Sequence, residues 1–395
     1  MEKETLWGRH FLTICCSSFF IFMTFYILAV TLPSFVLDHL HGSKQGIGLV
    51  TTVFVIAAVI FRPLTGKWLD EVNRKRLILG SLILFMVCSA AYLVVRDYYV
   101  LLALRFIHGI SFGIAATATS AVVLEVIPEQ RKGEGVGYFS LFMSLAMVIG
   151  PFIGLWLTTN ISYNAMFIAV FVFSLLAFVC GALTAVPKAS PKASTLSTWH
   201  IKRFVEPKAI PISLAGFVLA FSYGAISTFI SVYAKTIGLE RISSYFFIVF
   251  AAMILISRPF TGRLFDLKGE HVLVYPGMLL FIGGMVWLSA AYSAPVFLIT
   301  AGIIGLGYGA ILPSFQTIAI QASPMHRRGL ATSTYFVFFD LGYGLGSYLL
   351  GVVAAQTNYH VMYLIGGFVV VLSVVIYYLF HHKKQAKLAG KEGIV

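Results

Sequence analysis

Long apolar runs separated by short polar segments dominate the sequence, and this pattern predicts membrane-spanning helices. A membrane span needs about 20 mostly apolar residues. The polar segments between the apolar runs are too short to hold an inserted soluble domain. About twelve runs satisfy this length, and they lie at 11–36, 46–69, 77–95, 98–126, 135–158, 163–186, 209–234, 243–265, 272–292, 296–322, 330–355 and 359–380. We therefore expect an all-α integral membrane protein with antiparallel neighbouring spans.

The longest polar interruption lies in the middle of the chain, at residues 187–208, where Pro, Ser and Lys replace the apolar background. It predicts a linker between an N-terminal six-helix half (1–186) and a C-terminal six-helix half (209–380), with a basic tail at 381–395. Lys and Arg concentrate in both termini, in this linker and in alternate loops. By the positive-inside rule these segments are cytoplasmic, which predicts a multi-pass plasma-membrane protein with both termini inside the cell.

Composition agrees with the bilayer and excludes other classes of protein. Hydrophobic residues make up 59% of the chain and charged residues only 11%, which excludes a soluble enzyme and a disordered chain. The net charge of +13 follows the topology, so we expect no nucleic-acid partner. The four cysteines lie in apolar runs without a CxxC pair, and no phosphate-binding loop or nucleophile–base cluster occurs. We expect no metal, no cofactor and no enzymatic activity.

One segment of the chain recurs at a fixed distance. Residues 62–70 (RPLTGKWLD) return as 258–266 (RPFTGRLFD), an offset of 196 residues. The same offset carries Gly113 onto Gly309 and Gly150 onto Gly346. Agreement at a single offset without gaps predicts two parallel repeats related by an axis along the membrane normal. Such halves form a transporter that rocks about a central site.

Three motifs resemble those of a known transporter family. Residues 66–76 (GKWLDEVNRKR) resemble the signature that follows the second span in the major facilitator superfamily, with Asn73 where glycine is usual. Residues 105–109 (RFIHG) resemble its fourth-span element, and residues 150–154 (GPFIG) are similar to its antiporter motif. The resemblance covers the whole chain and implies the major facilitator fold. It points to the twelve-spanner drug:proton antiporter branch and hence to export by alternating access.

The first motif implies a cytoplasmic gate, whose candidate residues are Gly66, Asp70, Arg74, Lys75, Gly262 and Asp266. A carboxylate at a span end is stabilised when it faces a helix N-terminus. We expect Asp70 to dock on the start of the eleventh span near Gly329, and Asp266 on the start of the fifth near Gly133. The alternatives are solvated loop acids and basic residues that only follow the positive-inside rule.

The antiporter motif comprises Gly150, Pro151 and Gly154 in the fifth span. Proline lacks a backbone N–H and its ring crowds the preceding turn, so we expect a bend at Pro151. The two glycines permit close approach of another helix. Helix packing alone is the alternative interpretation, and a bend that prevents leak is what the family resemblance implies.

Charged residues inside spans are candidates for proton coupling and gating, namely Asp340, Arg62, Arg258 and Glu125. In the family the second and eleventh spans meet, so Arg62 and Asp340 are expected to pair. The position equivalent to Asp340 is Ser144, so this carboxylate has no repeat mate. Asp340 is either a proton carrier or a member of a fixed ion pair. Glu125 is expected to pair with Arg131, ahead of a proton role.

A substrate cavity is expected between the spans that line it in this family, with the candidate residues Arg105, His108, Tyr26, Tyr223, Tyr308 and Gln316. Arg105 is expected to bind an anionic group or to influence a neighbouring acid. The first span has no carboxylate before Asp38, so a small amphiphilic or anionic compound fits better than a cationic drug. The sequence thus predicts a monomeric, proton-coupled exporter in the lipid bilayer. A facilitator or symporter that imports a sugar or organic acid, and a lipid flippase, are the alternatives.

Overall fold

The computed structural model describes residues 6–128, 131–186, 205–324 and 327–383. Within these ranges it does not describe the side chains of residues 44, 45, 67, 70, 71, 132–134, 258, 259, 262, 263, 266, 328 and 329. The twelve long helices of the described chain are α1 (Arg9–His39), α2 (Lys44–Glu71), α3 (Arg74–Ala91), α4 (Tyr98–Val126), α5 (Lys132–Asn160), α6 (Tyr163–Leu183), α7 (Ile210–Thr236), α8 (Ser243–Lys268), α9 (His271–Leu288), α10 (Ala294–Gln321), α11 (Arg328–Gln356) and α12 (Tyr359–Tyr377).

Every one of these helices is long and apolar enough to cross a bilayer. In lipid the backbone N–H and C=O groups must be satisfied within the segment, which a helix does. The described ranges contain no strand. The expected all-α architecture with twelve spans is therefore confirmed.

Local sequence signals set several helix ends. The side chains of Asn73, Asp97, Ser162 and Asn358 accept hydrogen bonds from backbone N–H groups in the first turns of α3, α4, α6 and α12. Gly269 follows α8 with a φ of 79°, a left-handed conformation that glycine adopts without strain. The departure of Asn73 from the family's usual glycine thus gives α3 its N-cap.

The chain divides into two compact units. The first contains α1, α3–α6 and the part of α2 from Leu49 onward, and the second contains α7–α12 together with Ser43–Gly48. The predicted linker at 187–208 and tail at 381–395 lie mostly outside the described residues. Those two assignments stay predictions.

Helix packing within each unit follows the 196-residue offset found in the sequence. A Cβ atom added to Gly109 of α4 would overlap the carbonyl oxygen of Phe54 in α2, and one added to Gly305 of α10 would overlap that of Phe250 in α8. Both members of the first pair lie 196 residues before those of the second. The same relation holds for Gly113 against Ala58 and Gly309 against Ile254. The two units therefore use equivalent close contacts between equivalent helices.

Histidines attach the end of α12 to the start of α9 in the second unit. Beyond Tyr377 the chain forms a π-helical turn, Tyr378–His382. The rings of His382 and His271 stack with centroids 3.9 Å apart, and Nε2 of His381 lies 3.0 Å from Oε1 of Glu270. These contacts fix the last turn of the twelfth span.

Candidate functional site

The antiporter-motif glycines lie against α1 in the first unit. A Cβ added to Gly150 would lie 2.9 Å from Cβ of Tyr26, and one added to Gly154 would lie 3.0 Å from Cγ2 of Thr31. Helix α5 runs without interruption through Pro151. The motif therefore lets α5 approach α1 closely beside Tyr26, one of the expected cavity residues.

The second unit repeats this arrangement between α11 and α7. A Cβ at Gly346, the repeat mate of Gly150, would overlap the carbonyl oxygen of Phe221, and one at Gly342 would overlap that of Phe217. Such contacts bring the two backbones together, which is how glycine promotes helix association in membranes. Backbone packing is thus a property of both repeats.

Basic residues of the gate motif bind neighbouring helix ends. Arg74 donates through Nε to the carbonyl oxygen of Leu69 at 3.0 Å, and its Nη1 forms an ion pair with Glu125 at the end of α4. Lys75 donates to the carbonyl oxygens of Gly181, at 3.0 Å, and of Ala182, at 2.7 Å, at the end of α6. A cation there satisfies unpaired carbonyls and complements the helix dipole. These residues join α3 to α4 and α6 within the first unit.

The partner of Glu125 differs from the sequence-based expectation. We expected Arg131, and the structure places Arg74 against Glu125. The side chains are 16% and 38% exposed, so solvent screens this pair. Glu125 therefore pairs with Arg74 of the gate motif, and its proton role stays a prediction.

The Arg74–Glu125 pair predicts a small but measurable coupling. We expect Arg74→Gln and Glu125→Gln each to reduce the free energy of unfolding, and the double variant to lose less than the two losses together. The coupling energy should be about 0.5–1 kcal/mol, as for a partly exposed pair. Thermal unfolding of the four proteins in one detergent measures it, and additive losses would contradict the pairing.

The structure does not describe the side chains of the gate-motif residues Asp70, Gly262 and Asp266, or that of Arg258, a candidate for coupling and gating. Their expected docking and gating contacts stay predictions. Gly66 is exposed, and a Cβ added there would meet no atom within 4 Å.

Arg62 lies in α2 and Asp340 in α11, and both side chains are half-buried. These helices belong to different units. The expected ion pair between Arg62 and Asp340 therefore stays a prediction.

Arg105 and His108 lie together in the interior of the first unit, fully buried. Arg105 donates through Nε to the carbonyl oxygen of Val50 at 3.0 Å and covers the ring of Phe54 at 4.0 Å. The hydroxyl of Tyr92 lies 3.5 Å from Nη1 of Arg105 and 3.0 Å from Nδ1 of His108. The structure thus joins two expected cavity residues through Tyr92, and neither of them is exposed to solvent.

Tyr223 and Tyr308 lie together in the second unit. Their rings stack with centroids 4.6 Å apart, and Tyr343 lies 6.1 Å from Tyr223. The hydroxyl of Tyr343 lies 3.0 Å from Oγ of Ser227. Gln316 on α10 is half-buried. The second unit therefore contains a cluster of tyrosine rings with a serine hydroxyl at its edge.

Sequence reasoning missed two partners. Tyr92 follows α3 and reads like a residue at the bilayer interface, yet it is fully buried against Arg105. Glu206 falls in the predicted linker, yet it is 3% exposed and its Oε2 lies 2.7 Å from Nε of Arg327. The one sequence feature that pointed to Arg327 was its position 196 residues after Arg131, which we had expected to form an ion pair. Among the described residues no cluster of three His, Cys, Asp or Glu is arranged to hold a metal ion.

Comparison with known proteins places the fold in one family. Residues 14–324 and 273–393 match the sequence model of the Major Facilitator Superfamily. The chain is 23% identical over 354 residues to the staphylopine export protein of Staphylococcus aureus, covering 86% of this chain and 88% of that protein. It is 24% identical over 347 residues to the multi-drug resistance efflux pump PmrA of Streptococcus pneumoniae, covering 84% and 86%.

Solved structures share the architecture. An inward-facing bacterial homologue of the human lysosomal transporter Spinster superimposes with a TM-score of 0.75, at 15% identity, over 93% of each chain. The human organic anion transporter MFSD10 superimposes with a TM-score of 0.70, at 17% identity, over 93% of this chain and 98% of that one. At these identities the likeness establishes the fold.

Proposed function

The chain belongs to the major facilitator superfamily and is a multi-pass transporter of the plasma membrane, and on that premise we propose that it exports small amphiphilic or anionic compounds in exchange for protons. Export proceeds by alternating access, with both termini in the cytoplasm and the monomer as the working unit. The observation that carries the proposal is the antiporter motif, whose glycines lie against α1 beside Tyr26.

The relatives support the outward direction. The staphylopine export protein and the PmrA efflux pump each match more than four-fifths of this chain, in both units. The residues that resemble the family's antiporter motif lie in the fifth span, α5. Direction is therefore inferred from the motif and its relatives together.

Proton coupling rests on Asp340. It lies within a membrane-spanning helix, where an ionisable group is expensive and commonly functional. The repeat equivalent, Ser144, donates its hydroxyl to the carbonyl oxygen of Ser140 at 2.9 Å and carries no charge. Equivalent helices of the two repeats therefore form with and without an acid at this position. The acid is not needed for the helix itself, which supports a dedicated role in proton transfer.

The substrate class rests on charge. Away from the helix ends of the first unit, the described charged side chains are Arg62 and Arg105, both basic. The described acids of this unit, Asp38, Asp97 and Glu125, lie at or near helix ends. Tyrosines in both units supply flat amphipathic surfaces that accept apolar compounds with a polar group. Small amphiphilic or anionic compounds fit these features better than cations do.

Uptake into inside-out membrane vesicles tests the proposal. Vesicles with the protein are acidified inside and offered radiolabelled panels of anionic metabolites, cationic drugs and sugars, with protein-free vesicles as the control. We expect uptake of an anionic or amphiphilic compound that stops when the pH gradient is dissipated. Uptake only into right-side-out vesicles would instead indicate an importer. Exchange of labelled phospholipid between leaflets without uptake of any solute would indicate a flippase.

A further inference from the structure

The buried cluster of Tyr92, Arg105 and His108 has no equivalent in the second unit. At the 196-residue offset the corresponding residues are Leu288, Ala301 and Ile304, all of which are fully buried and apolar. The surrounding contacts are otherwise repeated, because Gly109 packs on Phe54 as Gly305 packs on Phe250. The same helix packing therefore forms with apolar side chains at these positions, so the fold does not require the polar cluster.

Arg105 carries a charge into this interior without a carboxylate partner among the described residues. Its described contacts are the carbonyl oxygen of Val50, the face of Phe54 and the hydroxyl of Tyr92. The acid nearest along the chain is Asp97, whose exposed carboxylate already accepts from the N–H groups of Tyr99 and Val100 at the start of α4. Dipoles and a ring face reduce the penalty of burying a guanidinium, but they do not neutralise its charge.

The hydrogen bonds within the cluster determine which of its N–H donors have no acceptor. The Arg105 guanidinium only donates, so the hydroxyl oxygen of Tyr92 accepts from it and the Tyr92 proton points to Nδ1 of His108. Neutral His108 then carries its own proton on Nε2. Nη2 of Arg105 and Nε2 of His108 are both buried without a hydrogen-bond partner. Both remaining groups are donors.

The phenylalanine rings that pack against the cluster offer no oxygen or nitrogen acceptor to these donors. Measured between ring centroids, His108 lies 5.6 Å from Phe54 of α2 and 4.4 Å from Phe85 of α3. The ring of Tyr92 lies 5.7 Å from that of Phe167 of α6. Burying unpaired donors and an uncompensated positive charge among apolar rings costs free energy. A negatively charged acceptor bound at these donors would remove that cost.

We propose that Arg105 and His108 form a buried binding site for a small anion in the first unit. Nη2 of Arg105 supplies the charged contact, and Nε2 of His108 is the second donor. Tyr92 fixes both side chains and keeps the imidazole proton on Nε2. Two sources share this chemistry, an inorganic halide and the carboxylate of a small organic compound. The site stands independently of transport direction and proton coupling.

Thermal unfolding of the purified full-length protein tests the site. The melting temperature is measured at constant ionic strength while a bulky sulfonate buffer anion is replaced by chloride, by bromide or by acetate. We expect a saturable rise of several degrees with at least one of these small anions, because a ligand that binds only the folded state stabilises it. A rise with the halides alone identifies an inorganic anion, and a rise with acetate alone identifies a carboxylate.

Variants assign the effect to the cluster. Arg105→Gln should abolish the rise, whereas Arg241→Gln, which removes an exposed arginine of the second unit, should leave it unchanged. His108→Phe keeps the charge and removes one donor, so it should weaken the apparent anion affinity by about tenfold. If Arg105→Gln does not fold, the His108→Phe titration and the position of a bromide anomalous peak decide. No anion-specific rise in the wild type, an equal rise in the Arg105 or His108 variant, or a bromide peak only at surface residues would overturn the proposal.

Discussion

Replacing Gly346 with leucine should remove most of the folded protein from the membrane. A side chain at this position would overlap the backbone carbonyl of Phe221, so α11 would have to move away from α7 along their shared contact. Forcing extra atoms into a packed core costs about 1–3 kcal/mol when only side chains must adjust, and more when the obstacle is backbone. We expect a melting temperature at least about 5 °C lower, together with a loss of monodisperse protein in detergent.

Gly283→Leu is the matched control for this variant. Gly283 lies within α9, and a Cβ added there would meet no atom within 4 Å. The same substitution in a spanning helix should then change the unfolding free energy by less than about 0.5 kcal/mol. Equal losses in the two variants would show that leucine disturbs these helices regardless of packing, and the close α7–α11 contact would lose its assigned importance.

Replacing Asp340 with asparagine should separate ligand movement from proton movement. The amide preserves size and hydrogen bonding but cannot take up and release a proton. We expect uphill accumulation in inside-out vesicles to fall by about tenfold or more, while exchange of labelled for unlabelled ligand at equal pH continues. Rates of both processes, normalised to protein in the vesicles, measure the effect.

Asp38→Asn is the control carboxylate. Asp38 lies near the C-terminal end of α1, where its Oδ2 accepts a hydrogen bond from the hydroxyl of Tyr163 at 3.1 Å. Its neutralisation should leave coupled accumulation close to that of the wild type. If Asp340→Asn accumulates ligand as well as Asp38→Asn does, Asp340 is not the proton carrier, and a structural role beside Arg62 becomes the better assignment.

The helices were predictable because a bilayer permits few solutions. Backbone groups in lipid must be satisfied internally, so each apolar run of sufficient length becomes one helix. The offset of 196 predicted two equivalent repeats, and the structure shows one consequence, since Gly109 packs on Phe54 as Gly305 packs on Phe250. Both repeats have glycine at this position because any side chain there would overlap the backbone of the neighbouring helix.

Partner choice was not predictable in the same way. Glu125 and Arg131 lie close in sequence, but Arg74 reaches Glu125 across the ends of α3 and α4. Tyr92 carries no sequence signal for burial, since tyrosine at a span end usually anchors at the interface. Such pairings depend on how helices are rotated about their axes, which hydrophobic periodicity leaves open when a helix is apolar on all sides.

Ligand-induced proton movement tests the central claim most directly. The protein is reconstituted in liposomes with a trapped pH-sensitive dye, and the compound taken up by the inside-out vesicles is added outside, without an initial pH gradient. We predict that its entry drives protons outward, so that the lumen becomes more alkaline, and that protein-free liposomes show no change. Entry of the compound without any change in lumenal pH would contradict proton-coupled export.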